Sequence, residues 1–187
     1  MADIVLFHSA LGVRPGVHRF ADGLRAAGHT VHVPDLYDGE VFDDLEPGTA
    51  KRDALGIPEI AQRAAAAVEE LPAGLVYAGF SLGAAPAQLL AQTRPGARAA
   101  VLMHGALPAE AFGTPWPSAV PLAVHGMVDD PWFEVDVARG LVAAARDAEL
   151  HLYPGSGHLF ADPDLPEHDA VAAATMRERV LTFLDRV

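Results

Sequence analysis

The chain has no cysteine. That excludes disulfides, thiolate metal ligands and a cysteine nucleophile, and it leaves the redox compartment open. Basic residues are scarce: 13 Lys and Arg stand against 25 Asp and Glu, a formal net charge of -12. A nucleic-acid partner needs a basic footprint, and none is present. An anionic membrane surface is excluded on the same ground. No apolar run reaches the ~18 residues of a membrane-spanning helix. The first residues, Met1-Ala2-Asp3-Ile4-Val5-Leu6-Phe7, have no basic stretch and no small-residue cleavage site. They read as a first strand rather than an export signal, which points to the cytoplasm.

What is present fits one folded domain over residues 1–187, because the chain is 51% hydrophobic and long enough to bury a sizeable core. Short apolar runs at 4–8, 31–33, 75–80, 99–104, 121–125 and 150–153 alternate with stretches of helical periodicity at 15–27, 58–70, 84–93, 132–146 and 169–187. Such alternation predicts an α/β fold: a mainly parallel sheet of about six strands with helices on both faces. Ligands of such sheets bind beyond the carboxyl ends of the strands. Two long segments there, 35–57 and 105–118, read as loops around a site.

Gly79-Phe80-Ser81-Leu82-Gly83 lies between the apolar run 75–78 and the helical stretch 84–93. A G-x-S-x-G between strand and helix is a nucleophile elbow. Its turn is sharp enough that side chains at the two glycine positions would collide with neighbouring backbone. The helix behind Ser81 directs N–H groups at developing negative charge. A serine hydroxyl needs a base, usually histidine held by a carboxylate, and on this architecture the chain order is Ser, acid, His. His125-Gly126-Met127-Val128-Asp129-Asp130-Pro131-Trp132-Phe133 places two acids after the fifth strand. Tyr153-Pro154-Gly155-Ser156-Gly157-His158-Leu159-Phe160 places a histidine after the sixth.

These three segments together resemble the dienelactone hydrolase family of α/β-hydrolases. The resemblance implies an α/β-hydrolase fold without a cap domain, and a minimal member lacking extra N-terminal strands. It implies Ser81 as nucleophile and His158 as general base and then acid. The orienting acid is Asp129 or Asp130; the Asp-Pro-aromatic context favours Asp130, and the spacing from Gly126 favours Asp129. Dienelactone hydrolases proper carry cysteine at the elbow and an acid in the first loop, where this chain has Ser81 and His8-Ser9-Ala10-Leu11-Gly12. The implied activity is hydrolysis of an ester, lactone or thioester of a small molecule in general. Perhydrolysis or acyl transfer on the same residues, and a non-catalytic binding protein of this fold, are the alternatives.

The oxyanion hole is expected from the N–H of Leu82 and of a residue after the first strand, Ala10 or else Leu11. Leu11, Phe112 and Trp116 are expected to contact substrate, and Phe42, Trp132, Phe133 and Phe160 are further candidates to wall an acyl pocket. His8 is expected to shape the first loop and His104 to border the pocket. The nine histidines show no metal-ligand spacing such as H-E-x-x-H, so no metal is expected. No G-x-G-x-x-G follows a strand, and Gly12 to Gly16 lacks the Lys-Ser/Thr of a phosphate loop, so no cofactor is implied. The acids Asp35, Asp38, Glu40, Asp43, Asp44 and Glu46 read as a solvated loop. Oligomeric state is left open between monomer and homodimer.

Overall fold

The computed structural model describes all residues from Met1 to Val187. Six strands, β1 (Asp3–Phe7), β2 (Thr30–His32), β3 (Leu75–Phe80), β4 (Ala99–Met103), β5 (Leu122–Met127) and β6 (Ala148–Tyr153), form one sheet in the order β2-β1-β3-β4-β5-β6. Every neighbouring pair is parallel. The central strands β3, β4 and β5 are buried along their whole length. This is why they read as unbroken apolar runs rather than as alternating ones.

Six α-helices cover the sheet: α1 (Pro15–Ala26), α2 (Leu45–Leu55), α3 (Ile57–Ala67), α4 (Ala84–Thr93), α5 (Val135–Ala144) and α6 (Ala170–Leu184). Ile4, Leu6, Val76, Ala78 and Phe80 point to one face, where Val17, Leu24, Met176, Val180 and Phe183 of α1 and α6 meet them. Val5, Phe7, Leu75, Tyr77 and Leu102 point to the other, against Ile60, Ala64, Ala87, Leu90 and Leu141 of α3, α4 and α5. The period-two alternation of the strands thus feeds two separate cores. Asp169 caps α6, its side chain accepting the N–H groups of Val171 and Ala172. No helix is long and apolar enough to cross a membrane.

One element departs from the sequence expectation. The segment 35–57 is not a continuous loop, because α2 occupies Leu45–Leu55. Pro47 and Gly48 disguise it, yet Pro47 lies in the first turn, where a missing N–H breaks no helical bond. Gly48 has a reason of its own: a Cβ there would stand 2.2 Å from the Ala10 carbonyl oxygen. The helix therefore packs its backbone directly on the loop after β1.

Candidate active site

Ser81 opens a 3-10 turn, Ser81–Gly83, that joins β3 to α4. Its φ of 50° is left-handed, a strained conformation for a residue with a side chain. Tight packing holds it there. A Cβ on Gly79 would lie 2.0 Å from the Gly83 oxygen, and one on Gly83 would lie 2.5 Å from the Phe7 oxygen. A Cβ on Gly105, after β4, would come within 2.9 Å of the Ser81 oxygen. Both glycines of the motif, and Gly105 beside it, are thus demanded by backbone contact.

Ser81 Oγ lies 2.7 Å from His158 Nε2. On the far side of the ring, His158 Nδ1 lies 2.7 Å from Asp130 Oδ2. The second oxygen, Asp130 Oδ1, accepts the Trp132 N–H at 2.8 Å. The Asp130 side chain has no exposed surface and that of His158 is 5% exposed, so this relay lies out of bulk water. Asp129, by contrast, is exposed, and only its backbone is engaged, donating to the Gly155 carbonyl at 3.0 Å. Asp130 is the acid that meets His158.

The loop after β1 is fixed from several sides. Gly12 and Leu11 donate to Ser9, Gly12 through the backbone oxygen at 3.1 Å and Leu11 through Oγ at 3.2 Å. The Ala10 N–H donates to no protein acceptor, so of the two candidate donors Ala10 is free and Leu11 is engaged. Leu82 is the second residue of the turn behind Ser81, where N–H groups have no intrahelical acceptor. His8 accepts the Leu36 N–H on Nε2 at 3.0 Å and meets the Ser9 oxygen with Nδ1 at 2.6 Å, which places its proton on Nδ1. Burial lowers its pKa.

His104 follows β4 directly, in another left-handed conformation, φ 62°. It is buried, stacks on Phe80, and sets its ring edge against Phe160 and His158, 4.6 and 6.2 Å between centroids. Desolvation, and then the neighbouring His158, hold its pKa well below the ordinary value. It packs against the side of the His158 ring.

The aromatic residues divide. Trp132 is 56% exposed and its ring lies 6.0 Å from that of His158, so it stands at the mouth of the site. Trp116, expected to contact substrate, is placed in the core: it is 5% exposed and its Nε1–H donates to the Val120 oxygen at 2.7 Å. Two buried glutamines cause this, since Gln88 and Gln92 of α4 bind the carbonyls of Leu107, Ala109 and Thr114 and draw the segment 105–118 down onto the helix. Phe112 is half-buried in that segment. Leu11 is also buried, packed with Leu159 and Leu165 under the His158 loop. Phe133 and Phe160 are buried supports; a Cβ on Gly126 would meet the Phe133 ring at 2.5 Å.

Three of the six acids of the segment are paired with bases. Asp38 pairs with Arg63 at 2.6 Å, Asp43 with Arg14 at 2.8 Å, and Glu40 with Lys51. Asp35 closes a turn by accepting the Tyr37 N–H at 2.8 Å.

The sequence matches the Dienelactone hydrolase family over residues 2–187. It is 30% identical to a carboxymethylenebutenolidase of Rhodococcus opacus over 98% of this chain and 80% of that protein. Among solved structures it is similar to a dienelactone hydrolase-like promiscuous phosphotriesterase from metagenomic libraries, with TM-score 0.81 and 23% identity over 100% of this chain and 86% of the other. It is also similar to a propionate-bound thermophilic esterase of Thermogutta terrifontis, with TM-score 0.69 and 18% identity over 99% and 83% of the two chains. The chain belongs to the dienelactone hydrolase family, and it is a carboxylic ester hydrolase on the α/β-hydrolase fold.

Proposed function

We propose that this enzyme hydrolyses a small-molecule ester, lactone or thioester through an acyl-enzyme on Ser81. The observation that carries the reading is the continuous relay from Ser81 Oγ through the His158 ring to Asp130, with both contacts at 2.7 Å. His158 Nε2 takes the Ser81 proton as Oγ bonds to the substrate carbonyl carbon. The N–H groups of Leu82 and Ala10 hold the oxygen that becomes negative. The tetrahedral intermediate collapses, the bond to the leaving oxygen or sulfur breaks, and His158 returns the proton to that atom. Water then gives a proton to His158 as its oxygen bonds to the acyl carbon, the bond to Ser81 Oγ breaks as His158 returns the proton to Oγ, and the carboxylic acid product leaves. Asp130, without other duty than His158 and the Trp132 amide, fixes the ring's tautomer and stabilises its cation. The name of the Rhodococcus relative supports including lactones among the substrates.

Stopped-flow hydrolysis of p-nitrophenyl acetate tests the acyl-enzyme. A burst of nitrophenolate equal to the enzyme concentration, absent from Ser81→Ala, is the expected result. Undiminished turnover by Ser81→Ala contradicts it.

A further inference from the structure

His158 is carried by an irregular stretch after β6, so no strand or helix ladder holds the backbone at the histidine itself. Gly155 turns the chain at φ 116°, and no strand or helix begins before Ala170. The fixing group lies nine residues downstream. Glu167 Oε2 accepts the backbone N–H of His158 at 3.0 Å, and Glu167 Oε1 accepts that of Leu159 at 2.8 Å. One carboxylate thus engages two successive amides. Charge-assisted bonds of this kind are the stronger class.

Four further observations give this contact its direction. Glu167 forms no ion pair with any Lys, Arg or His, so these two amides are its partners. Its backbone is itself anchored, because His168 and Asp169 both bind the Phe160 carbonyl, at 2.9 and 3.1 Å, and Asp169 caps α6. Gly157, just before His158, leaves room for the Glu167 backbone, whose oxygen a Cβ would meet at 2.9 Å. The helix α6 is packed into the core through Met176, Val180 and Phe183, so it offers a rigid reference.

We infer that Glu167 is a positioning residue, a carboxylate clamp that ties the His158 backbone to the start of α6 and so keeps Nε2 in reach of Ser81. This rests on the reading of His158 as the base. The clamp acts on the rate of proton transfer and leaves substrate contact alone, so it should appear in kcat and spare KM.

The test compares Glu167→Ala and Glu167→Gln with wild type on p-nitrophenyl acetate, together with hydrogen exchange at the His158 and Leu159 amides. Glu167→Ala is expected to lose about 10²-fold in kcat, the scale of a misplacement near 1 Å, with KM within twofold. Glu167→Gln retains one acceptor oxygen and should fall between the two, which separates a clamp from general unfolding. Both amides should exchange faster in Glu167→Ala while the amides of β3 and β4 keep their protection. Unchanged exchange at the two amides, or kcat within twofold of wild type in folded Glu167→Ala, overturns the assignment. Exchange does not depend on turnover, so an error in the proposed chemistry would leave that arm able to judge the clamp.

Discussion

Arg14 and Asp162 form a nearly enclosed ion pair that joins the loop after β1 to the loop carrying His158. Arg14 Nε donates to Asp162 Oδ2 at 3.2 Å, and the two side chains are 9% and 13% exposed. The same guanidinium reaches the Phe42 carbonyl at 2.7 Å, so a third loop is tied to the pair. The loop that carries Ala10 and the loop that carries His158 are thereby tied together, although they lie far apart in sequence.

Arg14→Met should remove this junction and strand the Asp162 carboxylate with little solvent. Breaking a buried pair from one side costs on the order of 3 kcal/mol. Chemical denaturation should show a loss of that size, with a fall in kcat as the Ala10 loop loosens. Asp43→Asn should leave the denaturation midpoint unchanged, because Asp43 is 94% exposed although it also meets Arg14.

The two adjacent aspartates should separate cleanly. Asp130→Asn is expected to cut kcat about 10⁴-fold with the fold intact, since the wrong histidine tautomer is then favoured. Asp129→Asn should stay within twofold of wild type, its side chain being exposed. Steady-state kinetics on one ester decides between them. Equal losses in both variants would contradict the arrangement.

Glycine substitutions offer a matched pair. Gly83→Ala places a Cβ 2.5 and 2.6 Å from the carbonyl oxygens of Phe7 and His8, which belong to backbone and cannot swing aside. Overpacking of this kind costs about 3 kcal/mol or more. Gly140, inside α5, has open space around its would-be Cβ. Gly140→Ala should therefore stabilise by about 0.5–1 kcal/mol through helix propensity. Thermal melts of the two variants should move in opposite directions.

Stability should fall as the medium becomes acidic. His104 and His125 are buried and their pKa values lie well below the ordinary value near 6.5, chiefly through desolvation. The unfolded chain takes up these protons near pH 6.5 and the folded chain does not. Their contribution is complete above that pH and declines as pH falls toward the folded-state values, by at most about 1.4 kcal/mol per pH unit and per histidine. Denaturation midpoints between pH 7 and 5 test this. His104→Phe should show a shallower decline than wild type, and parallel slopes would contradict it.

The elements that position Ser81 were legible because their cause is local. Leu75–Phe80 is a short apolar run closed by glycines, and the helix after it is rich in Ala, Leu and Gln with its one proline, Pro86, in the first turn, so β3, the elbow and α4 follow from a few adjacent residues. The helix α2 was hidden because Pro47 and Gly48 serve tertiary ends, a first-turn position and a close approach to Ala10, that local propensity does not reveal. The place of Trp116 turned on Gln88 and Gln92, whose buried amides hold its loop from another helix. The Asp-Pro-aromatic context pointed to Asp130 while the spacing from Gly126 pointed to Asp129, and the geometry brings Asp130 to His158 and leaves Asp129 exposed. Glu167 gave no signal at all, because its partners are backbone amides, which every sequence supplies.

Activation of Ser81 is the requirement on which the proposed chemistry stands. Intact-mass analysis after treatment with a small fluorophosphonate measures this without knowledge of the natural substrate. One adduct on wild type, none on Ser81→Ala and slowed labelling of Asp130→Ala is the predicted outcome. No adduct on the folded wild-type protein, or an adduct retained by Ser81→Ala, would contradict the central claim.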